Sequence, residues 1–142
     1  ARDVTALKRA ERELARREWQ FRFILNALPT GVSWMRYDGD QTESWVNDAV
    51  LEITGLTREQ ALNPLSYRAI TPEEDWQAQV DSAARLRAGQ IEGYSMEKRY
   101  RQPDGRVRWC VLTVRAYRDD AGKLMQEVAT IVDVTEKKQH EE

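Results

Sequence analysis

Residues 93–132, GYSMEKRYRQPDGRVRWCVLTVRAYRDDAGKLMQEVATIV, decide the fold. They divide into three strand-like runs, Tyr94 to Arg101, Val107 to Tyr117 and Leu124 to Val132. The connections between them, Pro103-Asp104-Gly105 and Asp119-Asp120-Ala121-Gly122, have turn chemistry. Pro presets φ, Asp hydrogen-bonds its own backbone, and Gly takes the positive φ that closes a tight reversal. The stretch predicts an antiparallel meander. In its middle run Cys110, Leu112, Val114 and Ala116 share one face, while Val107, Trp109, Val111, Thr113 and Tyr117 share the other, interrupted by Arg115. Apolar residues on both sides predict that both faces of this strand are covered, by helices of the same chain or by a second copy.

Working back from the meander, Thr71-Pro72-Glu73-Glu74 reads as a helix start, with Thr71 as N-cap, Pro72 in the first turn and a Glu returning the hydrogen bond. That helix should run to Ala88 and stop at Gly89, with Trp76, Val80, Ala83 and Ala84 on its inward face. Residues 31–37 and 43–47 read as a first hairpin around Asp38-Gly39-Asp40. Asn47 can then cap a short helix ending near Gly55, and Thr57-Arg58-Glu59-Gln60 fits a capping box for another. Residues 5–28 lack Gly and Pro and have strong helix composition. Leu7, Leu14, Phe21 and Leu28 recur every seven residues, with Val4 and Leu25 in the companion position and Glu11 and Glu18 interrupting it. This predicts either the seam of a dimeric coiled coil or a lone amphipathic helix lying on its own domain. The fold class is α+β: a long N-terminal helix, then five antiparallel strands with short helices on one face.

The bulk properties narrow the function classes. At 142 residues the chain is one domain's worth. With 22 basic and 24 acidic residues interspersed and a net charge of −2, no nucleic-acid stripe and no direct membrane contact are expected. A single cysteine excludes an internal disulfide and suits a reducing, cytoplasmic setting. No stretch is long and apolar enough to span a membrane or to form the core of a signal peptide.

Several strings together resemble a known family. They are Trp45-Val46-Asn47 followed by Ile53-Thr54-Gly55-Leu56-Thr57, Ile70 to Trp76 (ITPEEDW), Arg99 to Trp109 (RYRQPDGRVRW), and Asp133 to Lys138 (DVTEKK). In this order the chain resembles a PAS domain, the sensory box of bacterial multidomain signalling proteins. The last string is similar to the Asp-Ile-Thr signature at which such domains leave their final strand for a signalling helix. The resemblance implies a linker helix over 1–28, a PAS domain over 29–134 and the start of a C-terminal signalling helix over 135–142. It further implies a sensory and dimerisation module that relays a change to adjacent PAS or output domains, such as a histidine kinase or a diguanylate cyclase. The alternative is a protein-interaction domain with no small-molecule ligand. Asp3-Val4-Thr5 repeats Asp133-Val134-Thr135, so a second PAS-like unit upstream is also expected.

PAS relatives sense through haem, flavin, carboxylic acids or protein contacts alone, and each requires its residues. The only histidine, His140, lies in the charged tail, which argues against haem held by histidine. No Asn-Cys-Arg string is present, which argues against covalent flavin photochemistry, and Cys110 sits in a strand as core filler or redox sensor. The cofactor is otherwise undetermined. No nucleophile arrangement, phosphate-binding Gly loop or histidine or thiolate metal cluster is present, so no catalytic site is expected. The candidate pocket lies between sheet and helices, with Trp34, Trp45, Tyr67 and Trp76 as lining residues. Met96, Tyr100, Cys110 and Leu112 complete the candidate set, all eight being equally suited to plain core packing. Trp109, Val111 and Tyr117 form a second candidate surface, to be covered by Phe21, Ile24, Leu25 and Leu28 of one chain or its dimer partner. Asp133 and Thr135 are placed to hydrogen-bond the first free amides of the exit helix.

Overall fold

The chain, described over residues 2–141 in a computed structural model, runs α1 (Arg2–Ala27), β1 (Gly31–Asp38), β2 (Gln41–Val46), α2 (Asp48–Thr54), α3 (Arg58–Ala61), α4 (Pro64–Ala69), α5 (Glu73–Arg87), β3 (Gly93–Arg101), β4 (Val107–Arg118), β5 (Leu124–Asp133) and α6 (Thr135–Glu141). Ala1 and Glu142, the outer ends of the two expected linker segments, lie outside the described residues. The five strands form one antiparallel sheet in the order β2-β1-β5-β4-β3, so the meander is extended by the β1–β2 hairpin, which pairs through β1 with β5.

Register and alternation sort the side chains. Ser33 pairs with Val46, Gly31 with Ile131, Leu112 with Ile131 and Cys110 with Lys98, which places these positions on one inner face. That face carries the core. Val46, Val50, Ile53, Tyr100, Cys110 and Ile131 form one cluster beneath α2, and Leu86 of α5 joins Leu112 and Val114 in a second. Leu86 is fully buried, a burial worth about 1.5–3 kcal/mol.

Local chemistry positions the helices. Asn47 is buried and caps α2, its Oδ1 accepting from Val50 N at 3.3 Å and from Val32 N at 2.8 Å. Its Nδ2 donates to the carbonyls of Leu25 at 2.7 Å and Thr30 at 3.0 Å, so one side chain joins the end of α1, the entry to β1 and the start of α2. Gly55 ends α2 at φ 75°, and a Cβ there would meet Pro103 Cδ at 2.6 Å, so the glycine also lets the β3–β4 turn close on the helix. Thr57 and Gln60 form the expected capping box.

One local expectation is corrected. Thr71 does not cap α5: the helix begins at Glu73 with Pro72 before it and no side-chain cap, and the Thr71 hydroxyl donates back to the Tyr67 carbonyl at the end of α4. Three acidic residues in the first turn of α5 complement the helix dipole instead, and Asp75 binds Arg99 of β3. Asp3-Val4-Thr5 lies inside α1, whereas Asp133 to Thr135 crosses from β5 into α6, so the matched strings differ in conformation.

Candidate functional site

A cavity of about 460 Å³ lies between the inner face of the sheet and α3, α4 and α5. Leu62, Leu65 and Val80 border it and remain exposed, so it opens to solvent between α4 and α5. Of the residues proposed from sequence, Tyr67, Trp76, Tyr100 and Leu112 line it. Cys110 and Met96 lie behind this wall in the two core clusters, and burial pushes the Cys110 thiol up to about 12. Trp34 and Trp45 border the cavity along their strands, but they pair directly across β1 and β2 and alternate with Ser33 and Val46. Their rings therefore stand on the outer face of the sheet, stacked on one another at 4.6 Å, with Phe21 of α1 tilted 6.3 Å from Trp34. The sequence signal that misled here was residue type: aromaticity does not report the phase of the strand.

The most informative wall residue is one that the sequence reading passed over. Lys98 is only 1% exposed, and its Nζ donates to Gln79 Oε1. The ammonium lies 4.6 Å from the centre of the Tyr100 ring and 5.9 Å from those of Tyr67 and Trp76. Burial pushes its pKa down to about 8, partly countered by the Asp75 charge. Burial likewise raises Tyr67 to about 12 and Tyr100 well above the usual phenol range, so both rings remain neutral. The inward phase of β3 reads Tyr94, Met96, Lys98, Tyr100, and a lysine within that apolar row was the available signal.

At the far end of the cavity Glu127 lies between Tyr37, whose hydroxyl donates to it, and Arg87 at 3.6 Å. Next to the cavity mouth Asp75 accepts from Arg99 three times, from the backbone N at 3.0 Å, Nε at 3.0 Å and Nη2 at 3.1 Å. Burial acts to raise the Asp75 pKa, but these hydrogen bonds outweigh it and hold the carboxyl below its ordinary range.

The exit from the sheet is a second polar cluster. Asp133 Oδ1 accepts from Thr135 N at 2.9 Å and from its hydroxyl at 2.6 Å, while Oδ2 accepts from Arg108 Nη1 at 2.7 Å. Thr135 Oγ1 in turn accepts from the backbone N of Trp109 at 2.9 Å, so the first residue of α6 is pinned to β4 as well as to β5. Burial pulls the Asp133 pKa upward, and the bonds from Thr135 and Arg108 bring it below normal. Lys138 of α6 reaches Glu97 at 2.9 Å and stands 5.1 Å over the Trp109 ring, with Arg99 at 5.4 Å. Within one chain Trp109 is thus flanked by α6 and β3, in place of the expected α1 residues. Tyr117, Phe21, Ile24 and Leu28 are exposed, and Leu25 is half-buried.

Among the described residues no group of three or more His, Cys, Asp or Glu could hold a metal ion, and no helix is long and apolar enough to cross a membrane. His140 is exposed on α6.

A five-stranded antiparallel sheet with short helices enclosing a cavity on one face, entered and left by helices, is the architecture of a PAS domain. The chain belongs to the PAS fold family, which matches residues 20–134. A probable diguanylate cyclase, DgcE of Escherichia coli K12, is 30% identical over 135 residues, covering 94% of this chain and 12% of that protein. The chain therefore spans about an eighth of that relative's length. Among crystal structures, a sensory box histidine kinase/response regulator from Burkholderia thailandensis superposes with a TM-score of 0.61 at 19% identity, covering 86% of this chain and 89% of that one. The N-terminal domain of a diguanylate cyclase with PAS/PAC sensor from Marinobacter aquaeolei superposes with a TM-score of 0.63 at 15% identity, covering 76% and 98%.

Proposed function

We propose that this domain is a non-catalytic sensory input unit that reads the occupancy of its cavity and passes the change through β4 and β5 into α6. The observation that carries this reading is continuity. Tyr100 and Leu112 line the cavity, Tyr100 pairs with Arg108 and Leu112 with Ile131, and Arg108 binds Asp133 at the exit. A ligand that favours one arrangement of these strands would bias the joint at Thr135, which is what transmission requires. The relatives point to a histidine kinase or a diguanylate cyclase as the output in a parent protein. The test is native mass spectrometry of the purified chain. A small mass on the folded species that is lost on denaturation supports the reading. A chain that stays empty and binds no small molecule overturns it.

A second property has its own observation. The heptad residues Leu7, Leu14 and Phe21 of α1 and Leu28 just beyond its end are 40–60% exposed in the single chain, and Trp19 and Phe23 of α1 are 66% and 61% exposed. A stripe of this length left in water favours a parallel or antiparallel pairing of α1 with a second copy, with Trp109, Val111 and Tyr117 available on the outer sheet face. The units proposed along the chain are the linker helix over 1–28, the PAS domain over 29–134 and the exit helix from 135.

A further inference from the structure

We infer that Lys98 anchors an anionic ligand, and that the cavity takes a small organic acid whose carboxylate meets Nζ and whose apolar body lies against the sheet. This rests on the reading of the cavity as a ligand site and adds its chemical class.

Lys98 is a buried cation without a counter-charge of its own. Among the described residues it forms no ion pair. Asp75, the carboxylate whose charge it feels most, is held by Arg99 through three hydrogen bonds. Glu127, the acid that lines the cavity wall, is paired with Arg87 and Tyr37. It lies six residues along β5 from Asp133, which shares the Lys98–Cys110 row, a separation of roughly 20 Å along the strand. The ammonium has three protons to donate, and Gln79 accepts one. The faces of Tyr100, Tyr67 and Trp76 soften the charge without neutralising it.

An anion would complete this arrangement. Because the Lys98 side chain is itself almost fully buried, its ammonium attracts such an anion more strongly than a solvated lysine would, and the anion can accept the remaining protons. One lysine, with Arg87 engaged by Glu127 and Arg68 by Glu73, suits one negative charge. Ala61, Leu112, Val114, Ala129 and Ile131 give the wall apolar surface for the ligand's body, while its other charged groups, Glu127 and Arg87, are paired with each other. At about 460 Å³ the space falls within the roughly 300–1,000 Å³ typical of small-molecule sites.

The test is calorimetric titration of the 142-residue chain with 3-phenylpropanoate and with its neutral isostere, 3-phenylpropanamide. At about pH 7 the acid should bind at least about tenfold tighter than the amide, the worth of one charged hydrogen bond. Lys98→Met and Lys98→Gln should each bring the acid down to the amide's affinity and leave the amide's own affinity within about threefold of the parent. Raising the pH to about 9.5 should weaken the acid and not the amide, as the Lys98 ammonium titrates among Asp75, Gln79, Arg68, Tyr67, Tyr100 and Cys110. Equal binding of acid and amide, or selectivity that survives both substitutions, overturns the anion anchor and leaves the cavity a ligand site. If neither compound binds and no backbone resonance of the cavity wall shifts, both readings fail together.

Discussion

Lys98 carries a cost that a plain core position would not. Its pKa falls from 10.5 to about 8 on folding, a destabilisation of roughly 3 kcal/mol at neutral pH. Between those two values the unfolded chain holds a proton that the folded chain has released. Stability therefore rises with pH across the window, and the full penalty is present below it. Cys110, raised to about 12 from 9.0, acts in the opposite direction because the folded thiol keeps a proton that the unfolded one loses. Only a comparison with a Lys98 variant separates the two. Lys98→Met is expected to melt above the parent at about pH 7, by up to roughly 3 kcal/mol, with the gap narrowing as the pH approaches 10. Melting curves at both pH values check this, and a gap that did not change with pH would mean that Lys98 is solvated. A Lys98→Met chain that melts higher than the parent would show that the lysine serves something other than folding.

At the scale of elements, two joints tie the flanking helices to the sheet. At the entry, Asn47 bonds the end of α1, β1 and α2 through both atoms of its amide. At the exit, Asp133 and Thr135 bond α6 to β4 and β5. An ordinary N-cap is worth about 1 kcal/mol and would leave no trace beyond its own helix. Asp133→Ala also breaks the Arg108 contact, so amide exchange across Lys137 to Glu141 should quicken by about tenfold while the central amides of β4 stay protected. Hydrogen exchange with mass readout makes the measurement. Unchanged exchange in α6 would show that Lys138, held by Glu97 and Trp109, is the real attachment.

For the molecule as a whole, α1 is the open question that packing poses. Its 26 residues span about 39 Å, and the core anchors it near Leu25 while most of its length stays exposed. Isolated helices gain most of their stability from packing an apolar face, so a second copy is the expected partner. The parent should sediment as a dimer at micromolar concentration, and a Leu7→Glu, Leu14→Glu variant as a monomer with an unchanged melting temperature for the PAS core. A parent that stays monomeric at every concentration would rule out the seam.

The strands, their turns, the helix caps at Asn47 and Thr57 and the family were legible in the sequence, because period-two alternation and turn and cap chemistry act over a few residues. Side-chain placement was legible only in part. Tyr67, Trp76, Tyr100 and Leu112 came to the cavity wall, but Trp34 and Trp45 turned outward, since two strands paired in register carry directly opposed residues to the same face. Thr71 matched a cap pattern and bonded Tyr67 instead, because Pro72 began the turn one residue later. Lys98 stood in the inward phase of β3 from the start, yet its isolation as a charge depended on Asp75 being claimed by Arg99. That contact joins residues twenty-four positions apart. Local chemistry thus determined the elements and the family, while the third dimension alone decided which charges are paired, because pairing follows distance in space and not along the chain.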